Sequence, residues 1–287
     1  MNIFNLVIIL VTLLFAACQK EHSNYNKNFS YSEFSQIYGG EKSSIEEFPF
    51  MVNIWLNTPQ DHYVDHLCGG SLIDPKWVLT AAHCVLEDIT DKSLGLLKLN
   101  NLNLYIGSSK ISGEGGQKLQ AKKILVHPAF SWPYHDIALI ELTEEVTQAK
   151  TILLNQNDTN LPVLATVAGW GVIDEKGSQN PEFLQKINLN LITREECALD
   201  QFVQKKNWNM GSDTICVKTN KNQTASCHGD SGGPLFQKIK DQYVQIGVVS
   251  WGSGCRGAYS NQLSNVEGYS SVADAYSWIK SAIEHQN

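Results

Sequence analysis

The chain reads Cys227-His228-Gly229-Asp230-Ser231-Gly232-Gly233-Pro234 and continues into an apolar Leu-Phe pair. Glycines on both sides of the serine let the backbone turn sharply and approach a ligand closely, because no Cβ is in the way. This arrangement suits a serine hydroxyl that attacks a carbonyl while nearby backbone N–H groups receive the developing negative charge. Taken alone, the stretch also fits a glycine-rich turn with an incidental serine.

Two other segments supply what a serine nucleophile requires, a base within hydrogen-bond reach and a third group that orients the base. A β-like apolar run ends in Ala82-His83-Cys84, and Asp136 stands directly before another apolar run at residues 137–142. Histidine suits the transfer of a proton because it titrates near neutral pH. For a lone His or a lone Asp, a structural polar role would be the simpler interpretation.

These motifs, in the chain order His, Asp, Ser, resemble those of the chymotrypsin/trypsin-like serine proteases. Further matching phrases lie at residues 68–73, 168–171 and 250–252, so the resemblance covers roughly residues 37 to 287. It implies an all-β fold of two packed six-stranded antiparallel β-barrels with a C-terminal helix. The active site would lie in the cleft between the barrels.

The resemblance also implies a role for each catalytic residue. Ser231 would attack the scissile carbonyl, and His83 would take the serine proton and later return it to the leaving amine. Asp136 would fix the imidazole tautomer and stabilise the imidazolium as it forms. The backbone N–H groups of Gly229 and Ser231 would form the oxyanion hole.

Size and composition agree with this fold class. A chain of 287 residues with 43% hydrophobic residues can build one large all-β domain or two small ones. Apolar runs between Gly-, Asn-, Ser- and Pro-bearing turns predict strands at residues 50–56, 122–126, 137–142 and 245–250. Only residues 271–284 carry a helical pattern, because apolar side chains recur there at three- and four-residue spacing, at Val272, Tyr276, Ile279 and Ile283. Periodicity alone gives no barrel count.

Seven cysteines are present, an odd number that leaves one to be explained in an exported protein. Disulfides persist only in an oxidising compartment. The resemblance implies three of them, which are Cys68–Cys84, Cys197–Cys216 and Cys227–Cys255. The remaining thiol is Cys18.

Cys18 follows the apolar segment 3–17, which is too short for a comfortable membrane span and ends in small residues. Residues 1–17 therefore read as a signal peptide. The ending Leu14-Phe15-Ala16-Ala17-Cys18 resembles a bacterial lipoprotein signal, in which the cysteine is lipidated, although Phe15 departs from the usual residue. Ordinary signal cleavage with free secretion is the alternative. Both predict an exported protein, either secreted or in the cell envelope as a periplasmic or outer-membrane lipoprotein, with membrane contact only through lipid at Cys18.

Residues 18–36 are polar and suit a propeptide or tether, and residues 37–287 form the expected protease domain. The domain begins with Ile37-Tyr38-Gly39-Gly40, which resembles the amino terminus that is exposed when zymogens of this family are cut. A free ammonium on Ile37 would then pair with Asp230. Gln36 precedes the cut where Lys or Arg is common, so we expect an activating protease that is not trypsin-like.

By resemblance, the primary pocket, which takes the substrate side chain before the scissile bond, is bordered by Ala225, Ser226, His228, Ser250, Trp251, Gly252 and Glu267. Ala225 stands where trypsin has an aspartate for basic substrates, and Gly252 keeps the pocket mouth open. Ala225 together with Glu267 is similar to cathepsin G, whose pocket accepts aromatic residues and lysine. We expect cleavage after Phe, Tyr or Leu and after some Lys or Arg. The alternative is that Glu267 points to solvent.

The net charge of −7 and the presence of only two arginines give no basic stripe for nucleic acid. We expect no cofactor and no metal, and we expect a monomer. Its partners would be protein or peptide substrates, an activating protease and protein protease inhibitors. The alternative from another functional class is a catalytically silent homologue that binds a partner through the same cleft.

The leader generates a prediction about lipid attachment at Cys18. In a bacterial host grown with a palmitate analogue, the wild-type protein incorporates the label and Cys18→Ala does not, because the variant lacks the acceptor thiol. The label is read on the purified protein after a gel. Equal labelling of the two proteins, or none in either, would contradict the lipoprotein interpretation.

Overall fold

The computed structural model describes residues 40–56, 67–89, 95–174, 179–219, 226–252 and 265–285. The strands of the first part of the chain are β1 (Glu41–Lys42), β2 (Met51–Leu56), β3 (Leu67–Asp74), β4 (Trp77–Thr80), β5 (Leu102–Ile106), β6 (Gln117–Val126) and β7 (Ala138–Leu142). The later elements are β8 (Leu153–Leu154), β9 (Leu164–Gly169), β10 (Gln185–Ile192), α1 (Arg194–Ala198), α2 (Gln201–Lys206), β11 (Thr214–Lys218), β12 (Pro234–Ile239), β13 (Gln242–Gly252), β14 (Val266–Ser271) and α3 (Val272–Glu284). None of the helices in these segments combines the length and the apolar content needed to cross a membrane.

The first barrel closes in the order β2-β3-β4-β7-β6-β5, because β2 pairs with both β3 and β5. Strand β6 shows how the sequence builds this barrel: Leu119 and Ala121 are buried, whereas Lys118 before them and Gln120 between them are exposed. Successive side chains of a strand point to opposite faces, so this alternation fills the barrel and leaves its outside polar.

The second barrel runs β9-β10-β11-β14-β13-β12, and it closes because β9 pairs with both β10 and β12. Its core is a separate apolar cluster that includes Val167, Leu189, Val217, Leu235 and Ile246. Strand β1 adds to the outside of β10, and β8 pairs in parallel with β13. The prediction of two six-stranded antiparallel barrels is confirmed.

The C-terminal helix α3 is also confirmed. Ser271 is its N-cap, and its Oγ accepts a hydrogen bond from the Asp274 N–H at 3.1 Å. Its buried residues are Val272, Ala275 and Ile279, and they pack against the core of the first barrel. The helix therefore ties the end of the chain to the first barrel.

The prediction that only residues 271–284 are helical was wrong for α1 and α2. Both helices are shorter than two turns, so no apolar periodicity could reveal them. Thr193 and Glu196 form a capping box at the start of α1, and Asp200 caps α2 by accepting from the Phe202 N–H. A Thr-x-x-Glu sequence is the signal that identifies such a helix start.

A third core holds the two barrels together. Phe48 and Phe50, which precede β2, pack edge-on against Phe236 of β12 at centroid distances of 4.9 and 5.2 Å. Beside them, Ser71 of β3 donates a buried hydrogen bond to Gln245 of β13 at 2.6 Å. These contacts fix the two barrels against each other and so define the cleft between them.

Disulfides join Cys68 to Cys84 and Cys197 to Cys216, the pairings that the family resemblance implies. Cys227 is also disulfide-bonded. Its expected partner Cys255 lies outside the described residues, as do Cys18 and the whole leader.

Candidate active site

A cleft of about 450 Å³ lies where the two barrels meet. His83 and Trp132 line it from the first barrel, and Ser226, Ser231 and Ser250 line it from the second. A second depression of about 430 Å³ is lined by residues such as Asp158 and Arg194 and includes none of the predicted catalytic, oxyanion-hole or substrate-binding residues. The cleft at the barrel junction is therefore the candidate active site.

His83 is placed by the end of β4, where the chain turns through the single-turn 3-10 helix Ala82–Cys84. The Cys68–Cys84 disulfide holds this turn against β3. The His83 N–H donates to Asp136 Oδ1 at 2.9 Å, and the imidazole Nδ1 lies 2.6 Å from Asp136 Oδ2. This pairing engages Nδ1 and leaves Nε2 as the nitrogen that can act in the cleft.

Asp136 is fully buried and stays ionised because several donors face it. Burial alone would raise its pKa, but the charge and hydrogen bonds of His83 and the Ser250 hydroxyl, which donates at 2.6 Å, hold that pKa below its usual range. Burial likewise opposes protonation of His83, yet the charge and hydrogen bond of Asp136 raise the pKa of the imidazole. The pair therefore favours a histidine that can accept a proton.

Ser231 sits in a turn that rests on the first barrel, since its carbonyl accepts from the Gly69 N–H at 2.7 Å. Gly232 has φ 78°, and a Cβ there would lie 2.2 Å from Thr80 Oγ1, so the turn requires glycine. Within the described structure no hydrogen bond of 3.5 Å or less joins Ser231 to His83. Such contacts are often long in free enzymes and tighten when substrate binds.

The turn before Ser231 directs one backbone donor away from Val172. The His228 carbonyl accepts from the Val172 N–H at 2.8 Å. The C=O and N–H of a trans peptide point in opposite directions, so the Gly229 N–H is directed away from Val172. In the described part of the chain, neither this N–H nor that of Ser231 has a protein acceptor. Both donors remain available for a ligand.

Asp230 is a fully buried carboxylate next to this turn. It accepts from the Gly171 N–H at 2.8 Å and from the Cys227 N–H at 2.9 Å. Among the residues that the structure describes, no cation lies within 4.0 Å of it. Burial raises the pKa of Asp230 to about 6 against these two hydrogen bonds. Ile37, its expected partner, lies outside the described residues.

Glu267 lies directly behind the wall of the cleft. It is only 5% exposed, and its Oε2 accepts from Ser226 Oγ and from the Tyr269 hydroxyl, each at 2.7 Å. The alternative that this side chain points to solvent is wrong. Ser226 and Gly252 line the cleft in front of it, and burial raises the pKa of Glu267 to about 7. Ala225 lies outside the described residues.

The expected residues His228, Trp251 and Gly252 also line the cleft. Sequence reasoning missed Val249 and four larger lining residues, namely Trp132, Phe202, Lys206 and Trp208. Trp132 lies edge-on to the His83 ring at a centroid distance of 5.4 Å. The other three come from α2 and the residues just after it. The sequence signal that could have identified them is the presence of two aromatic side chains, Phe202 and Trp208, in the mostly polar stretch 201–208.

Possible metal ligands come together at one place in the described ranges, at Cys68, His83 and Cys84. Both sulfurs already form a disulfide, so they offer no thiolate. This cluster does not suit a metal ion.

The family model for trypsin matches residues 37–279. The chain belongs to the trypsin family. Its relatives include a tryptase from Mus musculus, 34% identical over 230 residues, which cover 76% of this chain and 80% of the relative. Ovochymase-2 from Mus musculus is 32% identical over 248 residues, and the match covers 83% of this chain but 38% of that longer protein. As a member of the trypsin family, the protein is a serine-type endopeptidase.

The buried Asp230 carboxyl predicts a pH dependence of stability. Its pKa rises from 3.8 to about 6 on folding, so between these pH values the native state holds a proton that the unfolded chain releases. The titration of Asp230 therefore lowers the free energy of unfolding of the full-length chain by about 3 kcal/mol as pH rises through this window.

Urea denaturation at a series of pH values measures this dependence. Asp230→Asn declines less steeply than the wild type, because the share of Asp230 is lost while the buried Glu267 keeps its own, whereas the exposed control Asp241→Asn keeps the full decline. Parallel pH profiles for the wild type and Asp230→Asn would contradict the assignment.

Proposed function

We propose that this protein is an exported zymogen of an endopeptidase that hydrolyses peptide bonds with Ser231, His83 and Asp136. Cleavage between Gln36 and Ile37 activates it. The observation that carries the proposal is the 2.6 Å contact between His83 Nδ1 and the buried Asp136 carboxylate, on the wall of the cleft that Ser231 also lines.

In the proposed reaction, Ser231 Oγ attacks the scissile carbonyl as His83 Nε2 takes its proton. The carbonyl oxygen gains negative charge and receives hydrogen bonds from the N–H groups of Gly229 and Ser231. His83 then gives the proton to the leaving amine, and the C–N bond breaks. Water attacks the acyl-enzyme in the same way and restores the serine hydroxyl.

A free strand edge supports binding of an extended peptide. Strand β12 pairs with β13 only as far as Val248, whereas Trp251 and Gly252 pair with β14 on the other side. Within the described structure, residues 250–252 thus leave one edge open along the cleft. A substrate segment can pair with such an edge as an added strand.

The environment of Asp230 supports activation by a new amino terminus. A buried carboxylate gains most from a cation that is buried with it, and the Ile37 ammonium would supply one. That ion pair would hold the adjoining turn, which carries the Gly229 and Ser231 N–H groups. Because Gln36 precedes the cut, the proposed activating protease is not trypsin-like.

Two disulfides in the described domain fit the proposed export, since they require an oxidising compartment. Lipid on Cys18 would hold the uncut chain in the cell envelope, and cleavage after Gln36 would release the domain. We further propose that the released enzyme is a monomer acting on protein or peptide substrates and open to protein inhibitors.

The proposed primary pocket is similar to that of cathepsin G and accepts aromatic, large apolar and some basic side chains. Glu267 supplies a carboxyl group whose pKa of about 7 keeps it partly neutral at physiological pH. The neutral form tolerates apolar side chains, and the ionised form attracts Lys or Arg.

The catalytic proposal predicts reactivity that depends on the cut. With a recognition sequence for a chosen protease placed before Ile37, the cut protein reacts with an organophosphonate at Ser231, and the uncut protein is nearly inert. Ser231→Ala loses about 10⁴-fold or more in peptide hydrolysis, because no nucleophile remains. Mass spectrometry locates the label. No labelling after the cut would favour a silent homologue, and full activity before the cut would refute the zymogen.

Glu267→Gln tests the pocket. Gln still accepts from Ser226 and Tyr269 but carries no charge, so kcat/KM for cleavage after Lys falls about tenfold while cleavage after Phe changes little. In the wild type the Lys-to-Phe ratio rises between pH 6 and 8 as Glu267 ionises, and in the variant it stays flat. Equal losses for both substrates, or a strict preference for Ala or Val, would reject this pocket.

A further inference from the structure

Three aromatic rings form a continuous surface along the cleft beyond the primary pocket. Trp208 lies edge-on to Trp251 at a centroid distance of 5.0 Å, and Phe202 lies 6.2 Å from the same ring. We call these three side chains the aromatic ledge. Trp251 belongs to the open edge of β13, whereas the other two come from α2 and the residues after it. The ledge therefore begins at the strand edge that would pair with a peptide substrate.

Lys206 stands at the outer end of the aromatic ledge. Its Nζ lies 5.7 Å from the Phe202 ring centre and 6.0 Å from that of Trp208. Ring faces attract a cation at such distances, so they favour a lysine that stays over the ledge. The side chain is exposed and lines the cleft.

The charge of Lys206 is not matched by the protein around it. Across the described ranges, no carboxylate lies within 4.0 Å of its Nζ, whereas Lys110, Lys122 and Lys186 each have a glutamate partner. Among the described residues that line the cleft, it is also the only Lys, Arg, Asp or Glu. The described part of the cleft thus holds one positive charge without a carboxylate partner.

We propose that Lys206 selects substrates with an acidic side chain at the second to fourth residue before the scissile bond. The inference rests on the proposed function, which runs the substrate along Ser250 to Gly252. The 5.0 Å between the Trp251 and Trp208 rings and the 6.0 Å from Trp208 to Nζ place the ammonium no more than about 11 Å from the Trp251 ring. An extended peptide rises about 3.3 Å per residue, so this reach corresponds to about three residues.

The net negative charge of the protein makes the Lys206 cation important for the binding of acidic peptides. A net charge of −7 disfavours the approach of any acidic peptide, but screening by salt confines that repulsion to about 10 Å. Lys206 is the one Lys, Arg, Asp or Glu among the described lining residues, so its ammonium is the formal charge that a peptide in this part of the cleft contacts first. The stem of a Glu side chain also covers part of the apolar ledge, which an Asp side chain reaches less well.

The test uses matched fluorogenic peptides with Phe before the cleaved bond and either Glu or Gln at the second, third or fourth position. For wild-type protein cut after Gln36, kcat/KM favours Glu by about two- to fivefold at one of these positions, the size expected for an exposed ion pair. Lys206→Gln brings the ratio to about one, and Lys206→Glu inverts it. Added NaCl at about 0.5 M lowers the wild-type ratio because it screens exposed charges.

Lys205→Glu is the matched control, since it makes the same charge change one residue away on the same helix and does not line the cleft. It keeps the wild-type ratio. No Glu preference at any of the three positions, or an equal shift in Lys205→Glu and Lys206→Glu, would overturn the role of Lys206.

Binding of the same peptides to Ser231→Ala, measured by fluorescence anisotropy, separates this inference from the proposed function. A Glu preference in binding without hydrolysis by the wild type would support the Lys206 site and reject the proposed catalysis. Hydrolysis of both peptides by the wild type, with equal binding of the two peptides to Ser231→Ala, would support the proposed catalysis and reject the Lys206 site.

Discussion

The close approach of two backbone segments, one from each barrel, governs the geometry of the cleft. The Gly69 N–H donates to the Ser231 carbonyl at 2.7 Å, and a Cβ on Gly69 would lie only 2.9 Å from the Gly233 Cα. Thr80 Oγ1 donates to the Gly69 carbonyl at 2.8 Å and so fixes the same strand. A strand of the first barrel thereby supports the serine turn of the second. His83 belongs to the first barrel, so this contact sets how the base and the serine face each other.

Three buried carboxyl groups near the cleft differ in how the protein compensates for their burial. Asp136 has a histidine and a serine hydroxyl as donors, and its pKa is lowered. Asp230 has two backbone N–H donors and Glu267 has mainly hydroxyl donors, and burial raises the pKa of both. A buried acid without a cation costs folding free energy. In the proposed function this cost lies beside the serine turn and beside the proposed primary pocket, where the Ile37 ammonium and a basic substrate would offset it.

Much of the fold could be predicted from the sequence. The alternation of apolar and polar side chains within a strand and the motifs around His83, Asp136 and Ser231 are local sequence patterns. The two barrels, the C-terminal helix and the Asp136–His83 contact agree with that reading. Two features could not follow from it. The direction of Glu267 depends on donors from Ser226 and Tyr269, which meet it only when strands fold together. Lys206 reaches the cleft through a helix of six residues, which is too short to show an apolar period.

The segment that carries α1 and α2 connects β10 to β11 and lies outside both barrel ladders. The Cys197–Cys216 bond fastens its first helix to β11, so its position does not depend on strand pairing of its own. Substitutions in this connection can reshape one wall of the cleft while the strand pairing of both barrels and the His83–Asp136 contact stay in place. Natural or laboratory selection can therefore change substrate preference through this connection without altering the two barrels.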